Sequence, residues 1–162
     1  MRLAIYPGSF DPVTNGHLDI VQRAALIFDQ VRVAVGVNPS KVPLFDVAER
    51  LAFLEEVCAP FPNVRVDKFT GLLVKYALAH KACAVVKGLR AISDFEYEFQ
   101  QAQMNRRISP EIDTLFVMTS TEYSYLSSSV VKEIVRYGGS VAGLVPDVVE
   151  QALRAKLKPD LS

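Results

Sequence analysis

The chain has no surplus of either charge sign: eighteen Lys and Arg balance eighteen Asp and Glu across 162 residues. A nucleic-acid or membrane partner would call for a basic excess or stripe, so neither is expected. An anionic ligand would have to be held by locally gathered groups. Cysteine is scarce. Cys58 and Cys83 are far apart, lie in apolar surroundings and show neither C-x-x-C spacing nor a histidine suited to zinc. Both are expected to be buried thiols. No apolar run approaches the ~20 residues of a membrane span. The N-terminus also lacks the basic, apolar and small-residue succession of a signal peptide, so a cytoplasmic setting is expected. Linkers, internal repeats and low-complexity segments are missing too. That leaves one domain over residues 1–162, with residues from 157 onward read as a loose tail.

What is present is half hydrophobic, enough for one sizeable core. Short β-branched runs at 2–6, 31–37, 64–69, 83–88 and 113–118 read as strands, several of them apolar on both faces as in a buried parallel sheet. Between them, Leu18, Val21, Ala25 and Phe28 keep one helical face, as do Val47, Leu51, Leu54 and Cys58. Further helices are predicted near 72–80, 94–107, 127–137 and 146–157. This alternation predicts an α/β fold, a Rossmann-like doubly wound five-stranded parallel sheet whose ligands bind beyond the carboxyl ends of the strands.

Helix starts refine that expectation, because an acidic first turn complements the helix dipole while a bare one leaves N–H groups for an anion. Asp46 with Glu49, Ser93 with Glu96, and Asp147 with Glu150 behind Pro146 read as caps. By contrast "TNGHL" and "YLSSSVV" open helices with small or neutral polar residues, although Asp19 follows closely in the first. An acid placed in the second, as Ser128→Asp, is expected to suit the helix and repel a polyphosphate.

The stretch "YPGSFDPVTNGHLDIV" (6–21) spends two glycines, two prolines and a histidine on the turn after the first strand. Gly8 permits close backbone approach and Pro12 stiffens the turn, as a phosphate site requires. It is not a P-loop, since G-x-x-x-x-G-K-[ST] occurs nowhere, and G-x-G-x-x-G is absent as well. Gly138 and Gly143 have the P-loop glycine spacing but follow a helix, and read as a C-cap and turn.

"GSFDPVTNGH" (8–17) resembles the G-[ST]-F-D-P-x-x-x-G-H element of the nucleotidyltransferase superfamily. Thr14 stands where many members carry a first histidine, and this T-x-G-H form is similar to that of the phosphopantetheine adenylyltransferases. "NPSK" (38–41), "KGLRAISDFEYEFQQAQMNR" (87–106) and "EYSYLSSSVVKEI" (122–134) agree with that family. The resemblance implies transfer of AMP from ATP to 4'-phosphopantetheine, giving dephospho-coenzyme A and pyrophosphate. A phosphate monoester attacking the α-phosphorus is already mostly deprotonated, so positioning and charge neutralisation suffice and no general base is needed.

The resemblance makes His17 the transition-state stabiliser, and places Ser9 and Phe10 against ATP and the acceptor phosphate. It assigns Lys41 and Lys87 to that phosphate and Leu73 to the pantetheine arm. Lys87 also stands out physically, since a lysine ending an apolar strand is poorly explained by solvation; many relatives have arginine there. Gly88, Leu89 and Arg90 are implied on the ATP phosphates, Glu98 on the nucleotide, and Tyr123, Ser124, Tyr125, Leu126, Ser127, Ser128 and Ser129 in the segment that wraps it. His80 is read as structural. Mg²⁺ is expected on the ATP phosphates rather than in a protein cage. Coenzyme A as a feedback ligand and a hexamer of two trimers are implied by the resemblance alone. Competing readings are a nucleotidyltransferase acting on nicotinate mononucleotide or a polyol phosphate, against which T-x-G-H and "GLRAISDFEYE" argue, and a nucleotide-binding module that has lost catalysis.

Overall fold

The computed structural model describes residues 1–91 and 95–157. The expected alternation is present: β1 (Leu3–Gly8), α1 (Asn15–Ile27), β2 (Gln30–Gly36), α2 (Val47–Cys58), β3 (Val64–Phe69), α3 (Leu73–Ala79), β4 (Ala84–Leu89), α4 (Phe95–Ile108), β5 (Asp113–Met118), α5 (Ser128–Arg136) and α6 (Asp147–Lys156). The five strands pair in parallel in the order β3-β2-β1-β4-β5. The winding direction reverses between β1 and β4, which is where a doubly wound sheet opens a crevice. Their pairing is short, limited to Ala4 with Ala84 and Ile5 with Val85. Beyond it β1 runs on through Pro7, which has no N–H to offer a ladder, to Gly8.

The strand pleat sorts side chains onto two unequal faces. Ala4, Tyr6, Val31, Val33, Val35, Val64 and Val86 join Ile20, Val21 and Ala24 of α1, Leu54 and Cys58 of α2, Val131 and Val135 of α5, and Val149 and Leu153 of α6 in the main core. The opposite face holds a smaller cluster of Leu3, Ile5, Ala34 and Val85 with Ala77 of α3, Ala82 and Ile112. Both faces of the central strands are therefore dry, which is why their sequences read as continuous apolar runs.

Asp46 caps α2 as expected, its carboxylate accepting the Glu49 N–H while the Glu49 carboxylate accepts the Asp46 N–H. Gly138 and Gly143 both have positive φ. The N–H groups of Gly138 and Gly139 donate to Val135 and Ile134 carbonyls, closing α5 as a C-cap. Other expectations need correction. Cys83 is exposed, not buried, because it lies outside β4 at the amino end of the sheet, with its thiol against the Leu3 carbonyl. Asp147 makes no capping bond; Pro146 is the N-cap, and its carbonyl takes the Val149 and Glu150 N–H groups. Phe28 is the C-cap of α1 and not a helical residue, yet it is buried in the main core with Val21, and Ile20 and Ala24 add to the face that the sequence marks. Leu157 does not belong to a loose tail, since it packs on the main core and its N–H donates to Leu153. The Ser93 cap and residues 158–162 lie outside the described residues.

Candidate active site

A cleft of about 390 Å³ opens at the switch point, walled by the end of β1, the start of α1, the end of β4 and the start of α5. Gly8 is demanded by packing, for a Cβ there would meet the Phe10 ring at 2.9 Å. Phe10 itself takes a left-handed turn, with φ of 48°, and so brings its ring edge-on to both Tyr6 and His17. On the β4 side a Cβ on Gly88 would sit 3.0 Å from Ile20, so the glycine lets α1 approach the strand end.

His17 occupies the third position of α1 and closes a capping box with Thr14. The His17 N–H donates to the Thr14 hydroxyl at 3.3 Å, and the Thr14 N–H donates to Nδ1 of His17 at 3.0 Å. A glutamate or glutamine usually fills this place. Because Nδ1 accepts, the ring proton resides on Nε2, the nitrogen left to act on a ligand. Burial first, and the nearby Arg90 cation second, push the imidazole pKa down to about 4, so His17 is a neutral donor at pH 7. Asp19 does not oppose an anion at this helix start. Its carboxylate is turned to the Ser120 N–H and hydroxyl, both at 2.8 Å, and to Arg23 at 3.1 Å. Partial burial works against its charge, but those donors outweigh burial and hold its pKa below the usual carboxylate value.

The opposite wall carries Lys87, Gly88, Arg90 and Glu98. Lys87 Nζ lies 3.4 Å from Glu98 Oε2, an oxygen with no hydrogen-bond partner of its own. Arg90 donates from Nη1 to the Leu126 carbonyl at 2.7 Å, which ties β4 to the segment leading into α5. Leu89 shapes the wall through its carbonyl, which accepts the Thr119 N–H and hydroxyl.

The three serines at α5 all line the cleft, but their hydroxyls are engaged differently. Ser127 is the N-cap, its hydroxyl accepting the Val130 N–H. Ser128 donates to the Pro12 carbonyl at 2.8 Å and fastens α5 to the β1 turn. Among the described residues only the Ser129 hydroxyl of the three has no protein partner. Leu126 is buried and lines the cleft, whereas Tyr125 is 69% exposed and Ser124 bonds within its own turn. Tyr123 lines a separate groove with Asn15 and Asp19.

Lys41 opens onto an adjoining cavity of about 310 Å³ that shares Ser9, Ser128 and Ser129 with the cleft. The same cavity holds Asp11, Arg50 and Lys132, which the sequence reading did not single out. Arg50 is buried and donates to the Ser9 carbonyl at 2.9 Å, fixing the backbone of a motif residue. Leu73 packs with Phe69 and Tyr76 on the smaller core cluster. Its neighbour Leu72 instead lines a more apolar cavity of about 810 Å³ beyond β2 and β3.

A family model described as cytidylyltransferase-like matches residues 5–134. A phosphopantetheine adenylyltransferase of Caldanaerobacter subterraneus subsp. tengcongensis is 56% identical over 158 residues, 98% of this chain and 99% of its own. That of Alkaliphilus metalliredigens is 53% identical over 156 residues, 96% and 99% of the two chains. A solved structure from Vibrio parahaemolyticus, provisionally named a nicotinate-nucleotide adenylyltransferase, has a TM-score of 0.67 at 15% identity over 94% of this chain and 99% of that one. At that identity it speaks for the fold alone. With the switch-point cleft, its motif residues and near-full-length identity above one half all in agreement, the chain belongs to the phosphopantetheine adenylyltransferase family.

Proposed function

We propose that this chain transfers the adenylyl group of ATP to 4'-phosphopantetheine, forming dephospho-coenzyme A and pyrophosphate. The observation that carries the reading is His17: a neutral imidazole, oriented by its own capping box at a helix N-terminus, with its Nε2–H left for a ligand in the cleft. The acceptor phosphate oxygen attacks the α-phosphorus, the bond to the bridging oxygen breaks, and pyrophosphate leaves with that electron pair. Nε2–H donates to a non-bridging oxygen as charge builds on the five-coordinate phosphorus. Lys87 and Lys41 hold the acceptor phosphate, with Ser9 and Phe10 forming the floor. Arg90, Ser129 and the free N–H groups at the start of α5 receive the β- and γ-phosphates. Glu98 and the 123–128 segment border the nucleotide, and the pantetheine arm passes Leu72 and Leu73.

Among the described residues no three His, Cys, Asp or Glu side chains gather as a metal site. Mg²⁺ commonly takes substrate phosphates and keeps several waters, so we assign the ion mainly to the polyphosphate of ATP, where it would offset phosphate charge. Coenzyme A contains the pantetheine arm and is expected to compete for the same cleft. A homo-oligomer, a hexamer by family resemblance, is supported by α4, which buries none of its residues and exposes Phe95, Tyr97, Phe99, Met104 and Ile108 beside Met118 of edge strand β5. No helix among the described residues is long and apolar enough to cross a membrane. We read the chain as one domain acting in the cytoplasm, where ATP is available.

The test is pyrophosphate release with Mg²⁺ and either ATP or CTP, each acceptor being offered in turn. ATP with 4'-phosphopantetheine should be the productive pair. Turnover only with nicotinate mononucleotide or a polyol phosphate, or none with any pair, would contradict the reading.

A further inference from the structure

We propose that Asp11 is a positioning residue for Lys41, acting by clamping the loop that carries it. This rests on the acceptor-phosphate role given to Lys41 above. Asp11 is only 8% exposed, yet it sits in the turn between β1 and α1 with both oxygens engaged. Oδ1 accepts the Phe45 N–H at 2.8 Å, while Oδ2 accepts the Leu44 N–H at 2.9 Å and the Lys132 ammonium at 3.2 Å. One carboxylate thus joins the loop after β1, the loop after β2 and helix α5. A carboxylate this little exposed recovers a lost donor from cavity water only in part, so the three bonds together favour one relation of the three segments.

Lys41 lies between two anchors of its loop. On one side Asn38 accepts the Ser40 N–H and hydroxyl on its side chain and the Lys41 N–H on its carbonyl. On the other side stands the Asp11 clamp, followed at once by the Asp46 cap of α2. Between them Lys41 is exposed and Val42 is 99% exposed, so core packing does not hold this part of the loop. Lys132 extends the clamp to α5, where Ser129 borders both the Lys41 cavity and the cleft. Asp11 therefore sets the spacing between the acceptor side and the polyphosphate side of the site.

The readout is how much more tightly 4'-phosphopantetheine binds than pantetheine, which lacks the phosphate, measured by calorimetry on the full chain. Asp11→Asn is nearly isosteric, but its amide turns a donor toward groups that already donate. Asp11→Glu keeps the charge and displaces the loop by a methylene, which provides a second variant should the first fold poorly. Either substitution is expected to lower the preference for the phosphorylated ligand about tenfold, with pantetheine and ATP affinities within about twofold of wild type. In a Lys41→Ala background the same substitution should cost almost nothing more. Full additivity with Lys41→Ala, or equal losses for both ligands, would overturn the proposal and leave Asp11 a support of the fold. A Lys41→Ala protein that keeps the full preference would overturn the assigned role of Lys41, and the proposal with it.

Discussion

Helices α1 and α5 face each other across the cleft, and both begin without an acid in the first turn. They use that freedom differently. In α1 the cap and the proposed chemistry fall on one residue: Nδ1 of His17 satisfies the helix start, and the same bond leaves the proton on Nε2. In α5 the tasks are separated, Ser127 capping, Ser128 tethering and Ser129 remaining open to the cleft. Helix α3 also starts without an acid and without a side-chain cap, although it lies outside the cleft. A bare first turn therefore identifies available donors, and the side chains folded back over it decide how many a ligand can reach.

The sharpest way to break the comparison is at α1. His17→Ala removes the donor and half of the capping box, and turnover is expected to fall by about two to three orders of magnitude with ATP affinity within about tenfold. Rapid-mix pyrophosphate release and a binding isotherm measure the two quantities. Near-normal turnover in a folded variant would take His17 out of the chemistry.

The next effect separates the cations of the β4 wall. Lys87→Ala should weaken 4'-phosphopantetheine, and Arg90→Ala should weaken ATP or pyrophosphate, each by about tenfold or more. Removing Lys87 also leaves the Glu98 carboxylate without its nearby cation, which adds repulsion to the loss. Calorimetry with each ligand decides, and a shared loss on one ligand alone would contradict the division.

A smaller contrast sharpens the α5 side. Ser129→Asp should leave the melting temperature of the free protein near wild type, since an acid in the first turn suits the dipole by about 0.3–1 kcal/mol, while lowering ATP affinity. Ser128→Asp is now expected to lower the melting temperature as well, because it replaces the donor to the Pro12 carbonyl with an acceptor. Equal melting temperatures for the two variants would mean that the tether to Pro12 contributes little.

The mildest test uses pH. The folded protein holds the His17 pKa at about 4, below its ordinary 6.5. Between those values the unfolded chain binds more protons, so the His17 contribution is complete above pH 6.5 and is lost as pH falls toward 4. Urea midpoints across that window should decline more for wild type than for His17→Ala. Parallel declines would show that His17 is not held neutral by the fold.

Much of this was legible in the sequence because it is local. Strands dry on both faces read as apolar runs, Asp46 with Glu49 is a spacing of three, and the motif histidine lies one turn from its threonine. What stayed hidden joins residues distant along the chain. Asp11 meets Phe45 and Lys132 across 34 and 121 positions, and Ser128 meets Pro12 across 116. No periodicity marks such pairs, and a buried Arg50 bound to the Ser9 carbonyl looks in sequence like any helix arginine. Cys83 misled for the opposite reason: its neighbours are apolar, but it lies at the end of the strand where the sheet no longer covers it.

The central claim is that the fold presents His17 as a neutral Nε2–H donor, and imidazole ¹⁵N spectra test it most directly because His80 is the only other histidine. Between pH 8 and pH 5, the signal absent from His17→Ala should belong to an uncharged ring protonated on Nε2 that titrates only near pH 4. A ring that titrates near 6.5, or that carries its proton on Nδ1, would contradict the account.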